Sequence, residues 1–505
     1  MEQKTSAFPN TGKNLIPDTV NPSPDYFCTW QAQLYRCNNA GPQGQRDCMT
    51  EESIFGNGVG EGWAALHPDA RRDMIFLMDD SWDIPIGQVK EPGPDYGSLI
   101  LNREKFPSFV KDDSNQRAMA RLIEAIREAG WRAMGGWICA QQAPAFTKED
   151  PGRYWEERLR STEDAGWKYW KVDWGHDCNS YAFRRMLIEL RHRYAPHVWM
   201  EQAMIPSLIP YADTFRTYDV FTLMGIPCTL EKLNVDLRYD AAPGYLGLIN
   251  CMDEVYIAAA LGCAIDVTRH DMGPRLPDGR PDPAFPDLHR RLKTRMDEVT
   301  RTVRWHRIAP AFPVNGSGTR IDENRLTDTW EVKNYLEEIE AWWKFRDGDH
   351  IGRSAPARFA RGLPLPEVTP DENGDVPYAC AALYPEGAVS VGTFGRTRDH
   401  RYFTPRCEIT LDASGADRPG KPYDGYFGVF GEYESLTLLT PHARAGARVL
   451  MQDLLGKEAY DVTDRVELSD GRVRVPGNVI HEIGTCRAHP GDTSEPGLVM
   501  MVREN

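Results

Sequence analysis

Lys171-Val172-Asp173 sets a cation and a carboxylate two residues apart. In a strand that spacing sends both side chains to one face and Val172 to the other. A lysine close to an aspartate favours the ionised carboxylate, the state a nucleophile requires; a structural ion pair at a strand end is the plainer account. Arg216-Thr217-Tyr218-Asp219 offers a second carboxyl group. Retaining cleavage of a glycoside needs two carboxyl groups about 5–5.5 Å apart, one ionised and one still holding its proton. Repulsion from Asp173 and partial burial would both keep the proton on Asp219, unless Arg216 and Asp219 simply pair with each other. Asp79-Asp80, followed by Trp82, is a third candidate. Adjacent carboxylates repel, and are tolerated where both accept hydrogen bonds from a polyhydroxylated ligand. A solvated turn, or a metal site shared with Asp83, are the alternatives, and no nearby His or Glu completes a metal-ligand set.

These residues need elements that bring them together. Short apolar runs at 27–35, 73–80, 131–138, 167–174, 197–204 and 214–221 read as strands. Between them, 115–130, 153–166 and 180–194 carry apolar residues at helical spacing, the first ending on Gly130. Strand and helix in alternation predict parallel βα units. Acidic residues then recur at the ends of successive strands: Asp79 and Asp80, Asp173, Glu201, Asp219, Asp266 and Asp271. A (β/α)₈ barrel draws its site from the ends of many strands, whereas a doubly wound sheet gathers it at one switch point, and no GxGxxG marks one here. The predicted fold is therefore α/β: a (β/α)₈ TIM barrel followed by a C-terminal antiparallel β-sandwich. Residues 1–26 form an N-terminal extension, 27–352 the barrel and 353–505 the sandwich, where short β-type runs alternate with Gly, Pro, Asp and Asn. Helical stretches near 284–309 and 329–346 close the barrel region.

Composition bounds the partner. With 59 Lys plus Arg against 74 Asp plus Glu, the chain carries a net charge of −15, which disfavours nucleic acid and anionic membranes. Fourteen Trp and twenty Tyr suit a cleft that covers sugar faces, although core packing uses the same rings. The beginning, MEQKTSAFPNTGKNL, has no apolar signal region, and no run of eighteen apolar residues occurs. The expectation is a cytoplasmic protein whose eleven cysteines, with no CxxC pair, stay reduced. A small carbohydrate is the expected partner, with neither cofactor nor metal, and a homo-oligomer is compatible with the sequence.

Together these segments resemble the clan of α-galactosidases and α-N-acetylgalactosaminidases in glycoside hydrolase families 27 and 36. RRDMIFLMDDSW (71–82), AGWRAMGGWI (129–138), WKYWKVDWG (167–175) and WMEQAM (199–204) follow the family's strands in order. The resemblance covers about residues 25–310. It implies Asp173 as nucleophile and Asp219 as general acid/base. Lys171 would contact sugar hydroxyls, Asp79 and Asp80 the O4/O6 edge, and Glu201 a free 2-hydroxyl. Trp30, Trp82 and Trp137 would line the pocket, with Arg216, His270 and Asp271 as further binding groups. The sequence departs from the family in three places, one of them Trp174, which stands where the family has a disulfide-forming Cys after the nucleophile. Arg216 and Asp219 stand one residue closer than the usual Arg-x-x-x-Asp, which makes Asp213 the reserve acid. On the last strand, Asp266-Val-Thr-Arg-His-Asp271 replaces the usual motif and brings an Arg-His pair suited to an unusual or anionic substituent. The expected activity is a retaining exo-α-glycosidase, α-galactosidase-like. The alternatives are the same fold acting on a β-L-arabinopyranoside, an α-N-acetylgalactosaminide, an α-glucoside or a modified galactoside; a non-catalytic sugar-binding barrel; and a metal-dependent hydrolase.

Overall fold

Eight short strands pair in parallel, each with the next and the last with the first: β1 (Tyr26–Cys28), β2 (Ile75–Met78), β3 (Ala133–Ile138), β4 (Tyr169–Val172), β5 (Trp199–Gln202), β6 (Thr214–Arg216), β7 (Leu248–Met252) and β8 (Ala264–Val267). The computed structural model describes residues 8–36, 46–56, 62–88, 93, 95–217, 224–268, 294–331, 348–399 and 401–504. The barrel is closed, and three of the helices between its strands begin where a polar side chain satisfies an orphan N–H group of the first turn. Ser114 accepts from the Arg117 N–H, Asp150 from Arg153 and Ser180 from Phe183, each such cap being worth about 0.5–2 kcal/mol.

Strand parity decides what faces the site. Phe27, Phe76, Met134, Trp170, Val172 and Phe215 belong to the apolar core shared with the surrounding helices. Their alternate neighbours Tyr26, Cys28, Leu77 and Tyr169 form a separate cluster, as opposite faces of a pleated strand require. Gly135 makes room inside. A Cβ there would come within 2.6 Å of the Tyr169 Cβ on the next strand.

The expected (β/α)₈ barrel and the C-terminal β-sandwich are both present. The first strand is shorter than the 27–35 run suggested. It stops at Cys28, and a helix runs Trp30–Arg36 once the Gln33 N–H turns back to the Thr29 carbonyl at 2.8 Å. Leu248–Met252, not singled out from the sequence, supplies β7. A helix occupies Met296–Ile308. The helix expected over 329–346 is not found at its start: Arg325–Glu331 is a strand antiparallel to His350–Pro356, and 332–347 lie outside the described residues. Its Thr327, Thr329 and Trp330 suit a pleated, half-buried surface.

Sandwich pairing begins at Thr319–Ile321, ahead of residue 353. That strand edges an eight-stranded sheet, which faces a second sheet of five strands across an apolar layer. Most pairs are antiparallel, but Arg358–Arg361 with Tyr378–Leu383, Val389–Phe394 with Tyr426–Phe430, and Glu408–Asp412 with Ser435–Leu439 are parallel. Residues before β1 run to this sandwich: the Thr11 N–H reaches the Ala459 carbonyl at 2.9 Å, and the Ala459 N–H reaches Lys13 at 2.8 Å. Nine described cysteines are thiols outside any disulfide, but Cys48 is disulfide-bonded, which corrects the all-reduced expectation. An odd count without CxxC does not bar a single bridge. Among the described residues no helix is long and apolar enough to cross a membrane.

Barrel and sandwich are joined by a buried ion pair. Arg301, on the helix Met296–Ile308, meets Asp453 at 2.9 Å with both side chains fully buried. Losing one partner strands the other charge away from water. Arg301→Met is therefore expected to lower unfolding stability by about 3–5 kcal/mol, and Arg301→Met with Asp453→Leu to recover much of it. Urea denaturation checks this; a single variant as stable as wild type would show that the pair ties nothing.

Candidate active site

At the C-terminal end of β4 the chain continues into Asp173, whose parity makes it an inward residue. Its carboxylate accepts from Arg216 at 2.6 Å on one oxygen and from the Trp137 indole N–H at 2.9 Å on the other. About 11% of its side-chain surface is open. Burial works against ionisation here, but the charges of Arg216 and Lys171 and the Trp137 N–H outweigh it, holding this carboxyl below its ordinary value. The nucleophile candidate is thus kept as an anion.

The backbone around it is held from the helix side. Arg184, fully buried on the helix Tyr181–Tyr194, donates to the carbonyls of Val172 (3.0 Å) and Asp173 (2.6 Å) and to Gln202 (2.9 Å). Sequence reading missed this arginine, whose position on a surface-type helix gave no signal. Next to Asp173, Trp174 stands with Tyr96 and Trp137, ring centroids 5.7–6.0 Å apart, and Trp174 is only partly buried.

Lys171 does not meet Asp173 directly. Its ammonium sits 2.7 Å from Asp79 and 3.3 Å from the Cys28 sulfur. Asp80 turns another way. It accepts from Ser81 and from the Tyr96 hydroxyl, both at 2.8 Å, and pairs with Arg46 at 3.2 Å. Arg46 in turn lies over the rings of Tyr96 and Trp174, 5.8 and 5.5 Å from their centroids. Burial raises the Asp80 pKa, with Arg46 opposing. Asp83 accepts from the N–H groups of Gly97 and Leu99, so the three carboxylates serve different partners and do not converge as a metal site.

Several expected ligands are placed otherwise. Glu201 is closed to solvent, level with Lys171 rather than Asp173. Its carboxylate is taken by Tyr169 (2.7 Å), Asn250 (2.9 Å) and Tyr26 (3.0 Å), not presented to a sugar. Trp82 is also sealed, donating to the Trp137 carbonyl at 3.0 Å and packing on Trp167. Trp30 is half-buried against the inner barrel cluster. Asp213, the reserve acid, precedes β6 at the opposite end of the barrel and pairs with Arg191 at 2.8 Å, which removes it as a candidate. Asp219, His270 and Asp271 lie outside the described residues.

Asp83 gives a pH test. Burial, with Asp80 adding to it against the Leu99 and Gly97 N–H groups, pushes its carboxyl up to about 7. A raised folded pKa means the native state holds the proton more tightly. Its stabilising effect is full below the unfolded value and is lost as pH rises towards about 7. Asp83→Asn keeps the acceptor without the charge, so it is expected to gain about 1–3 kcal/mol on wild type at pH 8 and little at low pH. Equal differences at both pH values would contradict this.

No protein-family model and no curated protein matches the chain. Solved structures do. The chain is similar to a family 27 β-L-arabinopyranosidase from Geobacillus stearothermophilus in complex with arabinose (10% identity over 95% of this chain and 97% of that one, TM-score 0.40). It is also similar to α-galactosidase I from Mortierella vinacea (13%, 67% and 95%, TM-score 0.32) and to an α-galactosidase from Saccharomyces cerevisiae (10%, 72% and 74%, TM-score 0.34). At such identities the chemistry has to be read from the site itself.

Proposed function

We propose that this protein is a retaining exo-α-glycosidase in which Asp173 is the nucleophile and Asp219 the general acid/base. One observation supports it above the rest: an inward carboxylate at the mouth of the barrel, kept ionised by Arg216, Lys171 and Trp137 beside a partly open aromatic wall.

In the first displacement Asp173 attacks the anomeric carbon, the glycosidic C–O bond breaks, and the Asp219 proton goes to the leaving oxygen. In the second, Asp219 takes a proton from water, whose oxygen attacks the same carbon and frees Asp173. Arg216 and the Trp137 N–H fix which lone pair of Asp173 faces the sugar, a matter of geometry worth several powers of ten when wrong.

An α-galactoside is the reading that the Asp79-Asp80 pair first suggests. The commitment of Asp80 to Arg46, Ser81 and Tyr96 favours a second one, an α-glycosidase whose sugar has a different C5–C6 edge, such as a β-L-arabinopyranoside or a modified galactoside. A panel of aryl glycosides separates them. The α-galactoside turning over at least tenfold faster than the β-L-arabinopyranoside supports the first reading and the reverse order the second, and both should exceed the α-glucoside and the α-N-acetylgalactosaminide. A mechanism-based inactivator of the best sugar should then attach to the peptide holding Asp173. Attachment elsewhere would overturn the assignment.

A further inference from the structure

Below Asp173, inside the barrel, a hydroxyl stands between two carboxyl groups. Tyr26 on β1 places its oxygen 3.0 Å from a Glu201 oxygen on β5 and 2.8 Å from an Asp266 oxygen on β8. All three residues are 0% exposed. A phenol has one proton to donate. Both contacts are hydrogen bonds only if one carboxyl group carries a proton and donates it to the phenol oxygen.

The surrounding donors say which one. Glu201 receives Asn250 at 2.9 Å, has the Tyr169 hydroxyl at 2.7 Å, and has the Arg216 guanidinium 3.7 Å from its other oxygen. Asp266 has Thr268 on one oxygen and Tyr26 on the other, and Asp253 adds a like charge to its surroundings. Lys171 and Arg216 are the cations that act on it. Donors gather on Glu201, so Glu201 is the anion and Asp266 the acid.

We infer that Asp266 is a neutral carboxylic acid at neutral pH, donating to Tyr26, which donates to Glu201, and that the resulting Glu201 anion is the positioning residue that holds Arg216 against Asp173. Burial raises both carboxyl groups, Asp266 and Glu201 alike, which is consistent with one proton stored between them.

The arrangement has a consequence for catalysis, and this last step rests on Asp173 being the nucleophile. With Asp266 neutral and Lys171 paired to Asp79, Arg216 is shared by two anions, Asp173 and Glu201. When Asp173 becomes a glycosyl ester it loses its charge, and Arg216 then has Glu201 as its counter-ion. In the covalent intermediate Arg216 and Glu201 balance each other.

Infrared difference spectroscopy on the whole protein tests the stored proton without any substrate. At pH 7 the wild type should show the carbonyl stretch of a protonated carboxyl group that is absent from Asp266→Asn. If Asp266→Asn does not fold, Tyr26→Phe keeps Asp266 in place, and the same band should move because its acceptor is gone. No difference band in either comparison overturns the inference. The positioning role is read separately. Glu201→Gln removes a negative charge near Asp173, so the acid limb of kcat/KM should move to lower pH while kcat falls about tenfold or more. An unmoved acid limb overturns that role. If no glycoside is turned over by the wild type, the glycosidase reading fails while the infrared result still decides the proton.

Discussion

Replacing Asp173 with alanine is expected to lower kcat/KM for the best aryl glycoside by about 10³-fold or more while the protein stays folded. Asp173 combines a carboxyl group held below its ordinary value with partial access at the end of β4. Removing it also leaves Arg216 without one of its two anions, so folding has to be checked by circular dichroism. A second variant sharpens the test. In Asp173→Gly, added azide can enter the space the carboxylate leaves, attack the anomeric carbon once, and give a glycosyl azide of inverted configuration. A structural role for Asp173 predicts no such product. Turnover by Asp173→Ala within tenfold of wild type would remove it as nucleophile.

Replacing Arg216 with methionine should act on stability and on pH dependence together. Its guanidinium is 2% exposed and serves Asp173 and Glu201. Taking it away leaves buried carboxylates without their cation, at a cost of about 3–5 kcal/mol. Asp173 can escape part of that cost by holding a proton. In the wild type its lowered pKa contributes stability that is present above the ordinary carboxylate value and lost as pH falls through the folded one. In Arg216→Met burial acts with less opposition, the Asp173 pKa rises, and the acid limb of kcat/KM should move to higher pH with a loss of about 10²–10³-fold in rate. Calorimetry and a pH–rate profile read the two effects. A stable variant with an unmoved limb would mean that Arg216 does not set the state of Asp173.

Much of this was legible in the residues. The alternation in Lys171-Val172-Asp173 put the two charged side chains inward and Val172 outward, and the helices 115–128, 151–165 and 181–194 follow their apolar spacing and caps to within two residues. Depth within the barrel was not legible. Glu201 shares the parity of an inward residue, but the register sets it beside Lys171, one layer below Asp173, and parity alone cannot tell a mouth from an interior. The segment 27–35 misled because its apolar residues fit both a strand and the helix that follows Cys28. Asp80 looked available for a ligand because its partner Arg46 stands 34 residues earlier in the chain, a distance no local pattern spans. Nothing in the sequence sets Tyr26 and Tyr96 apart from other tyrosines, and only their hydroxyl contacts single them out.

The segment before β1 has a consequence for how the molecule comes into being. Thr11 and Lys13 find their partner at Ala459, 448 positions after Thr11, so both must wait until that residue has been made. Contacts that far apart in sequence form late and slowly. The barrel strands, all made before Ala459, can therefore gather first, with residues 11–13 loose like an unbuckled belt until the sandwich arrives to fasten them.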